Sequence, residues 1–545
     1  MNYKLRLNHF SIVVTLFTML SFSLDAQTSM ITDVYSGTDS SLNYNSTPIV
    51  NVNGIAFFVA SDGVSGRELW MSDGTVGGTI LVKDINSGSS SSNPFGLKNM
   101  NGTLYFRADD GIHGAELWKS DGTFAGTTMV KDINLGLNNS NPSGFTELSG
   151  SVYFSANDGT SGSNELWKTD GTAVGTVKIK NIIPGIMSVY NGKIFLSAND
   201  GVAGVELWTS DGTTVGTVMV KDIRTGSSGS QPFGYVVYDN NLYFGANDGT
   251  NGYELWKTDG TSIGTVLVKD INVGSSASNA TPVKVFNNKL VLTADDGTNG
   301  SEIWLSDGTD LGTTMLKNIN PSGGAAPSQF TLLNSNANLF FVANDGSVGS
   351  ELWKTDGTQL GTVLVRDINL GANNGIFYPP SLINVNDTLY FAANDGTIGL
   401  ELWKSDGTNS GTLLVQDIHP TASSRPDALE NVNGVLFFSA NDGSFGREIW
   451  KIGNIATSSV SLKAQELISI YPNPFSSILM IQSESELYNI SLKLYDCLGR
   501  QVKEANNIYG YSFVLQRGDL PAGVYFLQLV EGETLVRTKK VVLID

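Results

Sequence analysis

The stretch ELWKSDGTFAGTTMVKDI, residues 116 to 133, is nearly repeated from positions 165, 206, 254, 302, 351 and 401. All nine tryptophans of the chain lie in this repeat, each preceded by Glu-Leu or Glu-Ile, at a mean spacing of about 47.5 residues. A period of forty to fifty residues is typical of a four-stranded propeller blade. We interpret the repeated Glu and Trp as a structural signature, made of Glu68, Trp70, Glu116, Trp118, Glu165, Trp167, Glu206, Trp208, Glu254, Trp256, Glu302, Trp304, Glu351, Trp353, Glu401, Trp403, Glu448 and Trp450.

Within one unit the pattern predicts four short strands, A over 95–100, B over 103–108, C over 116–119 and D over 127–133. Asn-Gly between two apolar runs is a strong hairpin signal, and Asp-Gly pairs mark the next two turns. Strand B is apolar on both faces, as in LYFRA, so both faces of each sheet should be covered. The sequence therefore predicts an all-β, propeller-like array of nine four-stranded repeats.

The two ends of the repeat region differ from the middle. The ninth unit ends as EIWKIGN without a strand D, whereas SMITDVYSG at 29–37 precedes the first unit and resembles the VKDINSG of 82–88. We expect this N-terminal strand to complete the last unit and close a ring, which removes exposed sheet edges. An open solenoid or two smaller rings are the alternatives.

The N-terminus and the charge bound the class of protein. Lys4 and Arg6 precede an apolar run over 12–24, which predicts a secretory signal peptide over residues 1–26, with an N-terminal anchor as the alternative. No later segment is apolar enough to span a membrane. A net charge of -19 disfavours nucleic acid as a partner, and a single cysteine, Cys497, excludes an internal disulfide.

The motif and its period together resemble the secreted bacterial proteins named for their ELWxxDGTxxGT repeat. The resemblance covers roughly residues 30–453, within a repeat domain that we place at 27–453. It implies a repeat-built extracellular protein, and it adds no catalytic residue.

After a Ser/Thr-rich linker at 454–466, a different domain occupies 467–545. Its segments SIYPNPF (469–475), LKLYDCLGRQV (492–502) and LPAGVYFLQL (520–529) alternate strands with turns, which predicts a small C-terminal β-sandwich. These segments resemble the C-terminal sorting domain of type IX secretion substrates. The matching positions are Tyr471, Pro472, Asn473, Pro474, Phe475, Gly499, Arg500, Gly523 and Tyr525. The resemblance implies export by the type IX secretion machinery as partner, and a protein that is secreted or held on the outer cell surface.

The repeated acids have two interpretations. Glu116 and Trp118 share one face of strand C, and we expect Trp to pack between units while Glu accepts hydrogen bonds from a turn backbone or a neighbouring indole. The alternative is calcium held by the NDGxxGxE loops, for instance by Asn247, Asp248 and Glu254. No cofactor is otherwise required.

No catalytic constellation is recognisable in the sequence. His113 and His419 lie in loops without a Ser/Asp pattern nearby. The clearest breaks in the repeat are the D-to-A connections, the segments from the last strand of one unit to the first of the next, such as RTGSSGSQPF at 224–233. Because these connections gather on one rim of a propeller, we expect a non-catalytic binding or adhesion scaffold there. The alternatives are a polysaccharide-processing propeller enzyme, a glycosidase or lyase, and an inert structural surface component.

Overall fold

The computed structural model describes residues 28–43, 48–333, 338–377, 381–452, 469–496, 500–531 and 534–544. All regular structure in these ranges is β-strand, which confirms the all-β prediction. Nothing in this part of the chain forms a helix able to cross a membrane. The predicted signal peptide (1–26) and linker (454–466) lie outside the described residues.

Residues 28–452 form nine four-stranded antiparallel sheets, which we number 1 to 9 along the chain. Strand β1 (Thr28–Thr32) precedes the first sheet. Sheet 1 consists of β2 (Val50–Val52), β3 (Ile55–Ser61), β4 (Arg67–Ser72) and β5 (Ile80–Lys83), and sheet 2 of β6 (Phe95–Met100), β7 (Thr103–Asp109), β8 (Ala115–Ser120) and β9 (Thr128–Lys131). Sheet 3 consists of β10 (Ser143–Leu148), β11 (Ser151–Ala156), β12 (Glu165–Thr169) and β13 (Val177–Lys180), and sheet 4 of β14 (Ile183–Tyr190), β15 (Lys193–Asn199), β16 (Val205–Ser210) and β17 (Val218–Lys221).

Sheets 5 to 9 repeat the same order of strands. They are β18 (Phe233–Tyr238), β19 (Asn241–Asn247), β20 (Tyr253–Thr258) and β21 (Val266–Lys269); β22 (Thr281–Phe286), β23 (Lys289–Asp295), β24 (Ser301–Ser306) and β25 (Thr314–Lys317); β26 (Ser328–Leu333), β27 (Asn338–Asn344), β28 (Ser350–Thr355) and β29 (Val363–Arg366); β30 (Ile383–Val385), β31 (Thr388–Asn394), β32 (Leu400–Ser405) and β33 (Leu413–Gln416); and β34 (Asp427–Val432), β35 (Val435–Asn441) and β36 (Arg447–Ile452).

The predicted strands of one unit are largely as expected. Strands A, B and C of sheet 2 match β6, β7 and β8 to within a residue or so, while strand D is shorter than predicted. It ends at Lys131 because the next residues turn toward the D-to-A connection, where the backbone N–H of Ile133 donates to a side chain of strand C. Trp118 pairs with Phe106 on one side and Met129 on the other, at the centre of the sheet.

The apolar cores lie between neighbouring sheets. Between sheets 4 and 5, for example, Phe195 and Leu207 of one sheet pack against Phe244 and Trp256 of the next. Every consecutive pair of sheets shares such a cluster. Strand B is therefore apolar on both faces because each sheet is covered on both sides.

The N-terminal strand completes sheet 9, as predicted. β1 pairs antiparallel with β36, with Ser29 opposite Lys451. Sheet 9 also packs against sheet 1, since Phe437 and Ile449 share a core cluster with Phe58 and Trp70. The first and last sheets of the array are thus in direct contact.

The C-terminal region is one curved five-stranded sheet, so the predicted sandwich is wrong. Its strands are β37 (Ser469–Tyr471), β38 (Ile478–Asp496), β39 (Gln501–Gln516), β40 (Gly523–Glu531) and β41 (Thr534–Leu543). β38 is long enough to pair with β37 and then β40 along one edge, while β39 covers its other edge. Repeated register shifts between β38 and β39 accompany its bending into a half-barrel, because bulges bend a strand and increase its twist.

Candidate functional site

In most sheets the glutamate of the ELW motif is a buried acceptor for the D-to-A connection. In sheet 5 the side chain of Glu254 is fully buried. Its Oε2 accepts hydrogen bonds from the backbone N–H of Ile271 (2.7 Å) and the hydroxyl of Ser278 (2.7 Å), and its Oε1 accepts one from the N–H of Ser278 (2.8 Å). Because Ile271 and Ser278 both lie in the connection to sheet 6, one carboxylate fixes the loop at two points.

Seven other sheets repeat this arrangement. The acceptors and their backbone donors are Glu68 with Ile85 and Ser92, Glu116 with Ile133 and Ser140, Glu206 with Ile223 and Ser230, Glu302 with Ile319 and Ala325, Glu351 with Ile368 and Gly375, Glu401 with Ile418 and Ser424, and Glu448 with Val34 and Ser41. In sheet 9 the segment after β1 therefore takes the place of a D-to-A connection. The turn backbone donates in every case, a serine hydroxyl also donates in most of these sheets, and none of these donors is an indole.

Burial changes the titration of these carboxyl groups. Burial raises the pKa of Glu68 to about 8, against the opposing effect of its hydrogen bonds from Ser92 and Ile85. Burial likewise raises the pKa of Glu351 and of Glu448 to about 7. The nearby charge of Asp84, in the same sheet as Glu68, adds to the shift.

Sheet 3 differs, since residues 181–182 alone separate its last strand from sheet 4. Glu165 accepts a hydrogen bond from Ser161 within its own loop, and Lys178 Nζ lies 3.6 Å from its Oε1. The same ammonium lies 2.7 Å from Asp158 Oδ2. Burial alone would raise the pKa of Asp158, but hydrogen bonds from Lys178 and Thr160 lower it to about 2.

The tryptophans of the motif are 4 to 9% exposed and pack at the boundaries between sheets. In sheet 5, Lys221 from the preceding sheet lies with its Nζ 5.9 Å from the ring centroid of Trp256 and donates to the carbonyl of Thr265 at 2.8 Å. A cation over an indole face adds to apolar burial. The equivalent pairs are Lys83 with Trp118, Lys131 with Trp167, Lys180 with Trp208, Lys317 with Trp353, and Arg366 with Trp403.

The DGTxxGT segment is a turn that satisfies its own polar groups. In sheet 5, Asp259 Oδ1 accepts from the N–H of Thr261 at 2.8 Å, and the hydroxyls of Thr258 and Thr265 lie 2.8 Å apart. A Cβ at Gly264 would lie 2.1 Å from Asp259 Oδ1, so this position requires glycine. The acids of this motif therefore hold a turn together.

The loop considered for calcium uses its oxygens within the protein. Asn247 Oδ1 accepts from the N–H of Gly249 at 2.6 Å, and Asp248 Oδ1 accepts from the N–H groups of Thr250 and Asn251 at 2.8 Å each. The Glu254 carboxylate faces the donors of the D-to-A connection instead of this loop. Across the described ranges, the structure brings together no group of three or more His, Cys, Asp or Glu side chains that could hold a metal.

A cavity of about 750 Å³ lies where sheets 8 and 9 meet the segment after β1. Its walls come from residues 40–43, from the loop at 397–399, from the D-to-A connection at 419–425, and from Asn441 and Arg447 of sheet 9. These segments are far apart in sequence. The cavity is therefore a product of the contact between the first and last parts of the repeat region.

Three cationic or titratable side chains line this cavity. The buried guanidinium of Arg447 donates to the hydroxyl of Ser439 and to the carbonyl of Arg425, both at 2.8 Å. His419 packs on the backbone of Gly443, where a Cβ would lie 2.7 Å from the imidazole. Its Nδ1 is buried and makes no hydrogen bond within the described part of the chain. Arg425 is exposed at the same wall.

Sequence reasoning did not identify this cavity, although a signal was present. His419 stands where five other repeats carry Asn, at positions 86, 134, 272, 320 and 369. In those repeats the Asn amide donates to a carbonyl of its own D-to-A connection, as Asn134 does to Asn139 at 3.0 Å. The other histidine, His113, pairs with Asp110 at 2.8 Å, and this hydrogen bond raises the pKa of His113.

The sorting-signal residues predicted from the sequence lie at the ends of the C-terminal sheet. Phe475 is buried, and its N–H donates to the carbonyl of Val542 at 2.9 Å. The hydroxyl of Tyr525 donates to the carbonyl of Pro521 at 2.7 Å. Arg500 pairs with Asp496 at 2.8 Å.

The remaining sorting-signal positions are Tyr471, Pro472, Asn473, Pro474, Gly499 and Gly523. Tyr471 is partly exposed and its hydroxyl lies 2.6 Å from Gln482 Oε1. Asn473 accepts from the N–H of Val542 at 2.7 Å, and Gly523 begins β40. Pro472 and Pro474 flank Asn473, and Gly499, like Cys497, lies outside the described residues.

Residues 469–544 match the family model of the secretion system C-terminal sorting domain. The protein is therefore secreted or displayed on the outer surface, and this domain implies contact with the type IX secretion machinery. A comparison with curated proteins finds no match. Membership of the ELWxxDGT repeat family stays a prediction.

The solved structures that match this chain are distant from it. They include a puromycin hydrolase mutant complexed with PGG (12% identity, TM-score 0.36, 64% of this chain and 58% of that chain) and a prolyl endopeptidase (13%, 0.37, 67% and 56%). The extracellular domain of a one-component system from B. thetaiotaomicron is 10% identical, with a TM-score of 0.33, over 92% of this chain and 74% of that chain. The chain spans little more than half the length of the two hydrolases, and these likenesses carry no argument about activity.

Proposed function

We propose that residues 28–452 form a closed nine-bladed propeller that serves as a non-catalytic binding or adhesion scaffold outside the cell. Nine sheets in an open row would share eight interfaces. Nine inter-sheet cores are present, and the ninth joins sheet 9 to sheet 1. The amide of Asn51 also donates to the carbonyl of Asn431 at 3.1 Å, between the first strands of these two sheets.

The observation that carries the binding role is the cavity at the junction of sheets 8 and 9. Its lining includes the D-to-A connection at 419–425 and the segment after β1, and a buried glutamate fixes each of these two segments to its sheet. Loops that vary in sequence on a rigid frame are the usual place for binding residues. The cavity also contains His419 and Arg425, which depart from the repeat, so it is distinct from the framework that all sheets share.

The composition of the cavity favours binding over hydrolysis. A glycosidase generally needs two carboxyl groups facing each other across the substrate. Among the described residues that line the cavity there is no Asp or Glu. We therefore prefer a scaffold that retains its ligand unchanged.

The mature protein should be tested on arrays of polysaccharides and oligosaccharides, with and without calcium, with analysis of products for every hit. We expect saturable binding, no cleavage and no requirement for calcium. Cleavage of a bound polymer would contradict the non-catalytic role. If the protein binds no glycan on the array but does bind a protein partner, the result would contradict a polysaccharide ligand.

A further inference from the structure

We infer that the cavity between residues 40–43, 397–399 and 419–425 binds an acidic sugar, one that carries a carboxylate or a sulfate group. This inference rests on the proposed binding function and specifies its ligand class. Three features of the cavity support it: the charge of the lining, the residues that break the repeat, and the size and polarity of the space.

The charge of the cavity is opposite to that of the whole chain. The protein has a net charge of -19, yet the lining contains Arg425, Arg447 and His419 and, within the described residues, no carboxylate. Guanidinium groups form strong charge-assisted hydrogen bonds with carboxylates and sulfate-like anions. Because the buried Arg447 already donates to protein groups, the exposed Arg425 and the partly exposed His419 are the side chains that would contact an anionic group.

Arg425 occupies a costly backbone position. Its φ is +49°, in the left-handed region that disfavours most residues other than Gly, Asn and Asp. The equivalent residues Asn93, Asn141, Gln231, Asn279 and Ala326 have the same conformation, so this backbone geometry belongs to the repeat. What distinguishes Arg425 is its basic side chain, since five other repeats carry Asn, Gln or Ala at this position.

The cavity suits a hydroxylated ring. Its volume of about 750 Å³ is within the range of small-molecule sites, which is about 300 to 1,000 Å³. Hydroxyl and amide groups come from Ser40, Asn43, Thr421, Ser423 and Asn441. Ile398 and Pro420 add apolar surface against which the C–H face of a sugar can pack. A sugar acid satisfies both kinds of wall, whereas an acidic peptide offers fewer hydroxyl partners.

The test is calorimetric titration of the full mature chain with matched probes. The probes are oligogalacturonate and its methyl-esterified form, and a sulfated galactan oligosaccharide and its desulfated form. We expect at least one charged probe to bind, and about a hundredfold weaker binding once its charge is removed, because charge-assisted contacts are lost. The probe whose affinity falls when its charge is removed shows whether the site recognises a carboxylate or a sulfate group.

Two substitutions restore the residue found in other repeats and should leave the fold intact. Arg425→Asn and His419→Asn should each weaken binding of the charged probe about tenfold or more, with an unchanged melting temperature. Arg224→Asn is the matched control, because Arg224 holds the position of His419 in the connection after sheet 4 and is not part of this cavity. It should leave the affinity unchanged.

Four results would overturn the inference. Equal binding of charged and neutral probes would exclude recognition of the anion, and full affinity in both Asn variants would place the site elsewhere. Preferential binding of polyglutamate over all sugars would replace the sugar with an acidic peptide. A protein that binds neutral glycans on the array, but none of the charged probes, would lose this inference and keep its proposed function.

Discussion

Sheets 5 and 3 carry the same ELW motif but hold its glutamate in different ways. Glu254 in sheet 5 receives three hydrogen bonds from the D-to-A connection. Glu165 in sheet 3 has no such connection beside it, and the ammonium of Lys178 takes the place of the missing donors. Lys178 stands where regular sheets carry Met or Leu, as at Met219 and Leu267.

This difference shows what the repeated carboxylate does. A buried carboxylate requires donors or a cation, whichever the sheet supplies. In seven sheets the donors are the backbone of the D-to-A connection, and in sheet 9 they are the backbone of the segment after β1, so the glutamate fixes the segment that carries variable residues. In sheet 3 the glutamate fixes nothing outside its own sheet and loop, and the chain is shorter there.

The largest effect should be common to both sheets. Trp256→Ala in sheet 5 and Trp167→Ala in sheet 3 should each lower the free energy of unfolding by about 3 to 5 kcal/mol, since both remove a buried aromatic between sheets. Chemical denaturation measures the loss. A loss below about 1 kcal/mol in both variants would contradict a structural role for these residues.

The glutamates should separate the two sheets. Glu254→Ala leaves the N–H groups of Ile271 and Ser278 without an acceptor, and should cost about 3 kcal/mol. Glu165→Ala leaves Lys178 paired with Asp158, and should cost about 1 kcal/mol. Hydrogen exchange of Ile271 should also accelerate in the first variant alone. Equal losses in the two variants would contradict the anchoring of the loop.

Lys178→Met restores the residue of the regular sheets without restoring the connection. It should cost about 1 to 2 kcal/mol, because Glu165 and Asp158 lose their shared cation, although Lys178 is partly exposed. Met219→Leu at the equivalent position of sheet 4 is the control, and should cost less than about 1 kcal/mol. Increased stability of Lys178→Met would show that the ammonium does not replace the missing donors.

The smallest effect concerns pH. The pKa of Glu68 is raised to about 8, so its stabilising contribution is full below its ordinary pKa of 4.5 and is lost as pH rises to about 8. Stability should therefore increase from pH 7 to pH 6, and Glu68→Gln should remove about 1 kcal/mol of that increase. Denaturation midpoints at the two pH values measure it. An unchanged pH dependence in Glu68→Gln would contradict the raised pKa.

The sequence predicted those parts of the fold that recur in every unit. Hairpins such as Asn101-Gly102 and the doubly apolar strand B depend on neighbouring residues and on an environment that repeats along the chain. The role of the N-terminal strand was also predictable, because SMITDVYSG resembles the strand that sheet 9 lacks. Its pairing with β36 needed no information beyond the repeat.

The C-terminal sheet and the cavity were not predicted, for two different physical reasons. The polar stretch SESELYN at 483–489 reads as a turn between two strands, but β38 continues through it with register shifts, giving one curved sheet in place of a sandwich. The cavity depends on contact between residues 40–43 and 419–425, which no local pattern encodes. Only the departures at His419 and Arg425 pointed to it.

The central claim is that the nine sheets close into one ring, and a disulfide between β1 and β36 tests it most directly. Ser29 and Lys451 face each other across these strands, at a spacing that a disulfide can bridge. In a Cys497→Ser background, Ser29→Cys with Lys451→Cys should form an intramolecular disulfide, seen as the loss of two hydrogens in the monomer mass. Ser29→Cys with Lys354→Cys, the same position in sheet 7, should stay reduced. Free thiols or only intermolecular dimers in the first pair would contradict the closed ring.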